Sequence, residues 1–198
     1  MHLLLLLLIP LAARAGDPVP LPTRALDQGA FLVAKRSLRD PYFSRTVVLL
    51  VRHSPEGALG LILNRPTAHL VKDALPSFPG PWKRTKLFFG GPVSPTLLSF
   101  LLRTAKPLGK GLRVLENVYF SVDPALPGKT KGLTGLRAFA GYAGWGPQQL
   151  ENEVMRGDWG MVEGDDTLIF DTPPEDLWPS LIAILDQRLA QREPRMER

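Results

Sequence analysis

Apolar residues in this chain come in short runs separated by glycine and proline, and most runs keep no helical period. Phe31 to Ala34, Val47 to Val51 and Ala58 to Leu63 read as strands, because β-branched and leucine runs of this length suit a buried sheet. Ser54-Pro-Glu-Gly57 links the last two with proline second and glycine fourth, as a type I turn prefers, so they are expected to pair as an antiparallel hairpin. Asn64-Arg-Pro66 ends the second of them, since proline cannot donate to a ladder. Val71 to Leu75 adds a helical turn; Leu87 to Phe89 and Val114 to Val122 are further strands, Thr167 to Phe170 is the last, and Leu97 to Leu102 fits either strand or helix by period alone. Leu136 to Ala140 leads into a glycine-rich turn at 141–146.

Two stretches read as helices. After Gly146 and Pro147, at the cap and first position, Leu150 and Val154 lie four apart and Gly157 ends the element. Thr172-Pro-Pro-Glu175 has the form of a capping box, and Leu177, Leu181, Ile182, Leu185 and Leu189 follow on one face, with a kink expected at Pro179. Strands dominate and helices are few, which predicts a mixed α/β domain on a hairpin-rich sheet.

Composition narrows the class. At 198 residues, 44% hydrophobic and 22% charged, the chain has enough apolar material for one domain with a substantial core, taken as residues 29–190. Residues 1–15 combine a leucine run with Ala13-Arg-Ala15, the small-x-small pattern of a secretory cleavage site, and predict a signal peptide and an exported protein. The run is shorter than the roughly 20 residues a membrane span needs, so no transmembrane segment remains after its removal. A mis-assigned start would instead leave a cytoplasmic protein. Residues 16–28, with three prolines, are an extended lead-in, and 191–198 a frayed tail. Cysteine is absent, which excludes disulfides, thiol catalysis and thiolate metal sites. The net charge of +5 invites a nucleic-acid reading, but the cations are scattered without the density of a basic arm, which argues against direct binding.

Five segments together identify a family. Gly141-Tyr-Ala-Gly-Trp-Gly-Pro-Gln-Gln-Leu-Glu-Asn-Glu153 is the most distinctive, joined by the stretch Phe31 to Thr46, Glu56 to Pro66, Gly90-Gly-Pro-Val93 and Phe170-Asp-Thr-Pro173. Over residues 29–187 the chain closely resembles the AlgH/YqgE family. The resemblance implies an α/β fold with coiled, partly bifurcated sheets, and no agreed biochemical activity; members are often labelled transcriptional regulators. One segment departs from the pattern: where relatives carry an amphipathic helix, Asp123 to Gly135 is short and full of breakers, and a loop is expected.

Candidate chemistry centres on the glycine-rich segment. Tyr142, Trp145 and Gln149 offer aromatic faces and an amide beside bare backbone, and the helix start after Pro147 offers free N–H groups to an anion. Alternatively the rings pack under the sheet and the glycines only make the turn. Asn64 and Arg65 leave a strand end together, either to grip a carboxylate or phosphate, or to satisfy local backbone and pair with an acid such as Asp40. Gly90 and Gly91 mark a sharp turn or a close approach. No nucleophile-elbow motif surrounds a serine, Gly164-Asp-Asp-Thr lacks calcium-loop spacing, and Pro127-Gly-Lys-Thr130 lacks the upstream glycine of a phosphate loop. No metal or cofactor is expected. The reading is therefore a non-enzymatic binding or regulatory domain with a surface at Asn64, Arg65, Gly90, Gly91, Tyr142, Trp145 and Gln149. Its alternatives are an enzyme or carrier for a small anionic ligand, and a nucleic-acid-associated regulator.

Overall fold

A computed structural model describes residues 26–78 and 80–192. The signal peptide expected over residues 1–15, most of the expected lead-in and nearly all of the expected tail lie outside the described residues. In chain order the elements are β1 (Ala30–Ala34), β2 (Val47–Ser54), β3 (Gly57–Ile62), β4 (Pro66–Leu70), α1 (Val71–Ala74), β5 (Lys86–Phe89), β6 (Val93–Arg103), β7 (Leu112–Leu115), β8 (Val118–Ser121), α2 (Leu126–Lys129), β9 (Gly135–Trp145), α3 (Gln149–Arg156), β10 (Trp159–Glu163), α4 (Asp166–Phe170) and α5 (Pro174–Arg192). A 3-10 turn at Pro81–Arg84 precedes β5.

The strands form one curled sheet in the order β10-β1-β2-β3-β9-β6-β8-β7, antiparallel at every step. Strand β9 is the branch. Leu136 to Ala140 pairs with β6, Ala138 to Ala140 also pairs in parallel with β5, and Ala143 to Trp145 pairs with β3. The sheet splits there, and β4–β5 forms the side branch. Every residue of β1 is buried, as are Val47 to Val51, because the β1–β2–β3 region is covered on both faces. Helix α5 packs on β1 and β10 through Leu177, Trp178, Leu181, Ile182 and Leu185. Leu189, expected on that face, is half exposed one turn beyond the sheet. Among the described residues no helix is long and apolar enough to cross a membrane.

The β2–β3 hairpin forms as expected, with Ser54 opposite Gly57. Several other expectations are corrected. Residues 114–122 are not one strand: Glu116-Asn117 turns the chain, so Leu115 pairs with Val118 in a tight hairpin. Residues 167–170 are helical rather than extended, because the Asp165 carboxylate accepts from the amides of Thr167 (2.7 Å) and Leu168 (3.2 Å) and caps a helix there. The last strand is instead β10, which ends seven residues before Phe170 and was unforeseen. Proline 66 ends β3's run but opens β4, which pairs only with β5 and so tolerates a missing donor. The 123–135 segment is a loop broken by the single turn α2. Residues 141–145, expected to turn, continue β9.

Candidate functional site

Helix α3 begins at Gln149, not Pro147, and its cap Gln148 is left-handed at φ 59°. The amide of Gly146 donates to Gln149 Oε1 (3.1 Å), and Gln149 Nε2 donates to Glu153 Oε1 (3.0 Å). Glu151 already occupies the first turn, and hydrogen bonds from its own backbone amide and from His53 hold its carboxyl below the usual carboxylate range. The Gly146 and Glu151 amides at this helix start are thus met from within the chain.

Trp145 is 6% exposed rather than facing solvent. Its ring stacks on Phe43 (6.0 Å between centroids) and meets Trp159 edge-on (6.2 Å). Both indole N–H groups donate to the same atom, Glu153 Oε2, at 2.9 Å. Glu153 therefore pins α3 to β9 and β10, a role the sequence reading missed; its position four residues after Gln149, on the face that meets the sheet, was the available signal. Replacing Glu153 with alanine leaves two nearly buried donors unpaired. The expected loss is about 2–3 kcal/mol, read as a lower urea midpoint with unchanged m-value.

The glycines face each other. The Gly90 amide donates to Ala140 O (2.8 Å), and Ile62 N donates to Gly90 O (2.9 Å). A side-chain carbon at Gly90 would overlap the Gly141 carbonyl, and one at Gly141 would overlap the Gly91 carbonyl. Gly90-Gly91 and Gly141 are two sides of one backbone crossing at the branch of the sheet. Asn64 laces the start of β2: its Oδ1 accepts from Val47 N (3.0 Å) and its Nδ2 donates to Arg45 O (2.9 Å). Arg65 donates to Ser44 O at 2.6 Å, not to Asp40, whose carboxylate caps the amides of Tyr42 and Phe43.

Of the seven foreseen residues, Tyr142 and Trp145 share a groove. It is open, about 460 Å³, and runs between the β2–β3 turn and β9, with Arg52, Glu56, Leu59 and Val93 as further walls. Tyr142 is half-buried and Trp145 contributes its rim. A second residue the sequence reading missed is Arg137, 6% exposed in the middle of β9. Its guanidinium donates to Leu63 O (2.8 Å) and Thr172 O (3.3 Å) and lies 4.7 Å from the Phe88 ring centroid. Burial pushes its pKa down to about 10, partly offset by Asp171. Asp171 itself is bound by both terminal nitrogens of Arg103 (2.6 and 2.9 Å). A basic residue inside the apolar run from Leu136 to Ala140 was the signal for Arg137.

His53 Nε2 lies 2.7 Å from Glu151 Oε1, and among the described residues no serine or threonine hydroxyl hydrogen-bonds to either imidazole, Thr67 Oγ1 accepting only from the His69 backbone amide (3.1 Å). Nor do the described residues gather three or more metal-ligating side chains.

An AlgH-like family model matches residues 31–190. The chain belongs to the AlgH-like family. It is 41% identical over 169 residues to a UPF0301 protein of Streptomyces avermitilis, covering 78% of this chain and 84% of that protein. A Methylococcus capsulatus UPF0301 protein is 34% identical, covering 75% and 83%. Among solved structures, a Corynebacterium diphtheriae protein superposes with a TM-score of 0.70 at 26% identity, covering 81% of this chain and 87% of that one. The AlgH protein of Pseudomonas aeruginosa superposes at 0.67 with 27% identity, covering 89% and 99%. The AlgH-like assignment accounts for the split sheet expected from the resemblance, and it brings no activity with it.

Proposed function

We propose that the chain is a binding domain rather than an enzyme, and that it docks a segment of a protein partner in the groove of Tyr142. The groove itself carries this reading: it is open along its length, walled by Leu59, Val93 and Tyr142, and flanked by the opposite charges Arg52 and Glu56. Apolar walls with a charged rim suit a peptide segment better than a small metabolite, which needs enclosure. The remaining foreseen residues, Asn64, Arg65, Gly90, Gly91 and Gln149, act as the frame that fixes β9 and the neighbouring loops.

The test is genetic and keeps the fold. Tyr142→Ala combined with Arg52→Glu, introduced into the chromosomal copy, is expected to reproduce the transcript profile of a deletion while protein abundance stays at the wild-type level. A double variant with the wild-type profile would overturn the reading.

A further inference from the structure

Between the β1–β2 connection and α5 lies a pocket of about 230 Å³ lined by Lys35, Arg36, Arg39, Ser44, Arg45 and Trp178. Four of its six walls are cations. Arg65 is a further cation beside it, donating to the backbone carbonyl of the lining residue Ser44. Two carboxylates stand nearby: Asp186 accepts from Arg36 Nε (2.9 Å), and Asp40 is committed to backbone amides. The group therefore keeps a clear excess of positive charge, held in one place rather than spread over a surface.

The indole wall of the pocket is fixed in place. Trp178 is 7% exposed and donates its indole N–H to Ala34 O at 2.8 Å, so the ring is fixed to β1. The guanidinium carbons of Arg36 and Arg45 sit 5.5 and 5.6 Å from that same ring centroid. Holding two guanidinium groups against one indole costs mutual repulsion, which a bound anion relieves. Arg45 has φ 57°, a left-handed conformation that a side-chain-bearing residue adopts at a cost. The loop that imposes it is anchored at both ends, by Lys35 N to Asp158 O (2.8 Å) and by Phe43 stacked on Trp145. Strain and concentrated like charge thus coincide at one small cavity.

We propose that this pocket binds the phosphate group of a small soluble phosphate ester or diphosphate. Several guanidinium groups converging with a lysine and a hydroxyl match a dianion with three or more acceptor oxygens better than a single carboxylate. The volume admits one or two phosphate groups and little apolar body. This site is separate from the Tyr142 groove, and its fate in the test below is independent of that reading.

The probe is pyrophosphate, titrated calorimetrically into the purified chain at low salt. Arg45→Gly is the decisive variant, because it deletes a guanidinium while relieving the left-handed strain, so loss of fold cannot explain loss of binding. Saturable binding is expected, at least about tenfold weaker in Arg45→Gly and in Arg39→Gln, as loss of one charge-assisted contact requires. Lys110→Gln, which removes the same charge from an exposed loop, and Tyr142→Ala are expected to bind as the wild type does. Equal affinity in Arg45→Gly and Lys110→Gln, or no saturation, would overturn the proposal. Sedimentation with phosphatidate vesicles that pyrophosphate does not displace would overturn the soluble source.

Discussion

Replacing Gly91 with alanine is expected to leave little folded protein. Gly91 has φ 150°, and a β-carbon there would overlap the carbonyl carbon of Tyr142 and the amide nitrogen of Ala143. Both obstacles are backbone, and both belong to β9 where it changes partners from β5 to β3. Neither strand can withdraw, because Ile62, Gly90 and Ala140 are tied across the crossing by hydrogen bonds. Overpacking against rigid backbone and an unfavourable φ together cost about 4 kcal/mol or more, a large part of a domain's whole stability. Gly109→Ala is the control, since nothing lies within 4 Å of the added carbon. It is expected to stay within roughly 0.5 kcal/mol of the wild type in urea unfolding.

Arg137→Ala is expected to be the next most damaging substitution examined in the same way. The guanidinium ties the end of β3, through Leu63 O, to the link before α5, through Thr172 O, and covers one face of Phe88. Its charge is itself a burden, as the lowered pKa indicates, yet it satisfies two backbone carbonyls. Removing it exposes that burden's other side: two acceptors lose their partners and a cavity opens beside Phe88. The expected loss is about 3 kcal/mol, corresponding to a fall in Tm of roughly 6–12 °C for a domain of this size. Arg137→Lys is expected to recover only part of it, because an ammonium cannot reach two divergent carbonyls with the geometry of a fork.

Local chemistry was legible where it acted over a few residues. Ser54-Pro-Glu-Gly57 announced the β2–β3 hairpin, and the leucine spacing after Thr172 announced α5. What misled was apolar content that fits two periods. Thr167 to Phe170 is β-branched and aromatic, but the Asp165 cap decides for helix. Trp159 to Glu163 contains glycine and only five residues, yet it pairs along its whole length with β1 because both strands lie under α5. The glycine-rich segment was recognised as special for its composition. Its cause is tertiary: Gly141 is needed where β9 touches Gly91, 50 residues away in the chain, which no local pattern encodes. The same holds for Trp145, buried because Phe43 of the β1–β2 connection, Trp159 of β10 and Glu153 of α3 converge on it. Of the candidate residues, Tyr142 and Trp145 line one open groove, and Tyr142 is the less buried of the two.

The most direct measurement is site-specific photocrosslinking in native cells, with p-benzoylphenylalanine in place of Tyr142. Position 189 in α5, where Leu189 is 52% exposed, serves as the reference surface. A binding groove at Tyr142 predicts one discrete protein adduct from position 142, absent from position 189 and lost when Arg52→Glu is added. No adduct from position 142, or the same adducts from both positions, would contradict it.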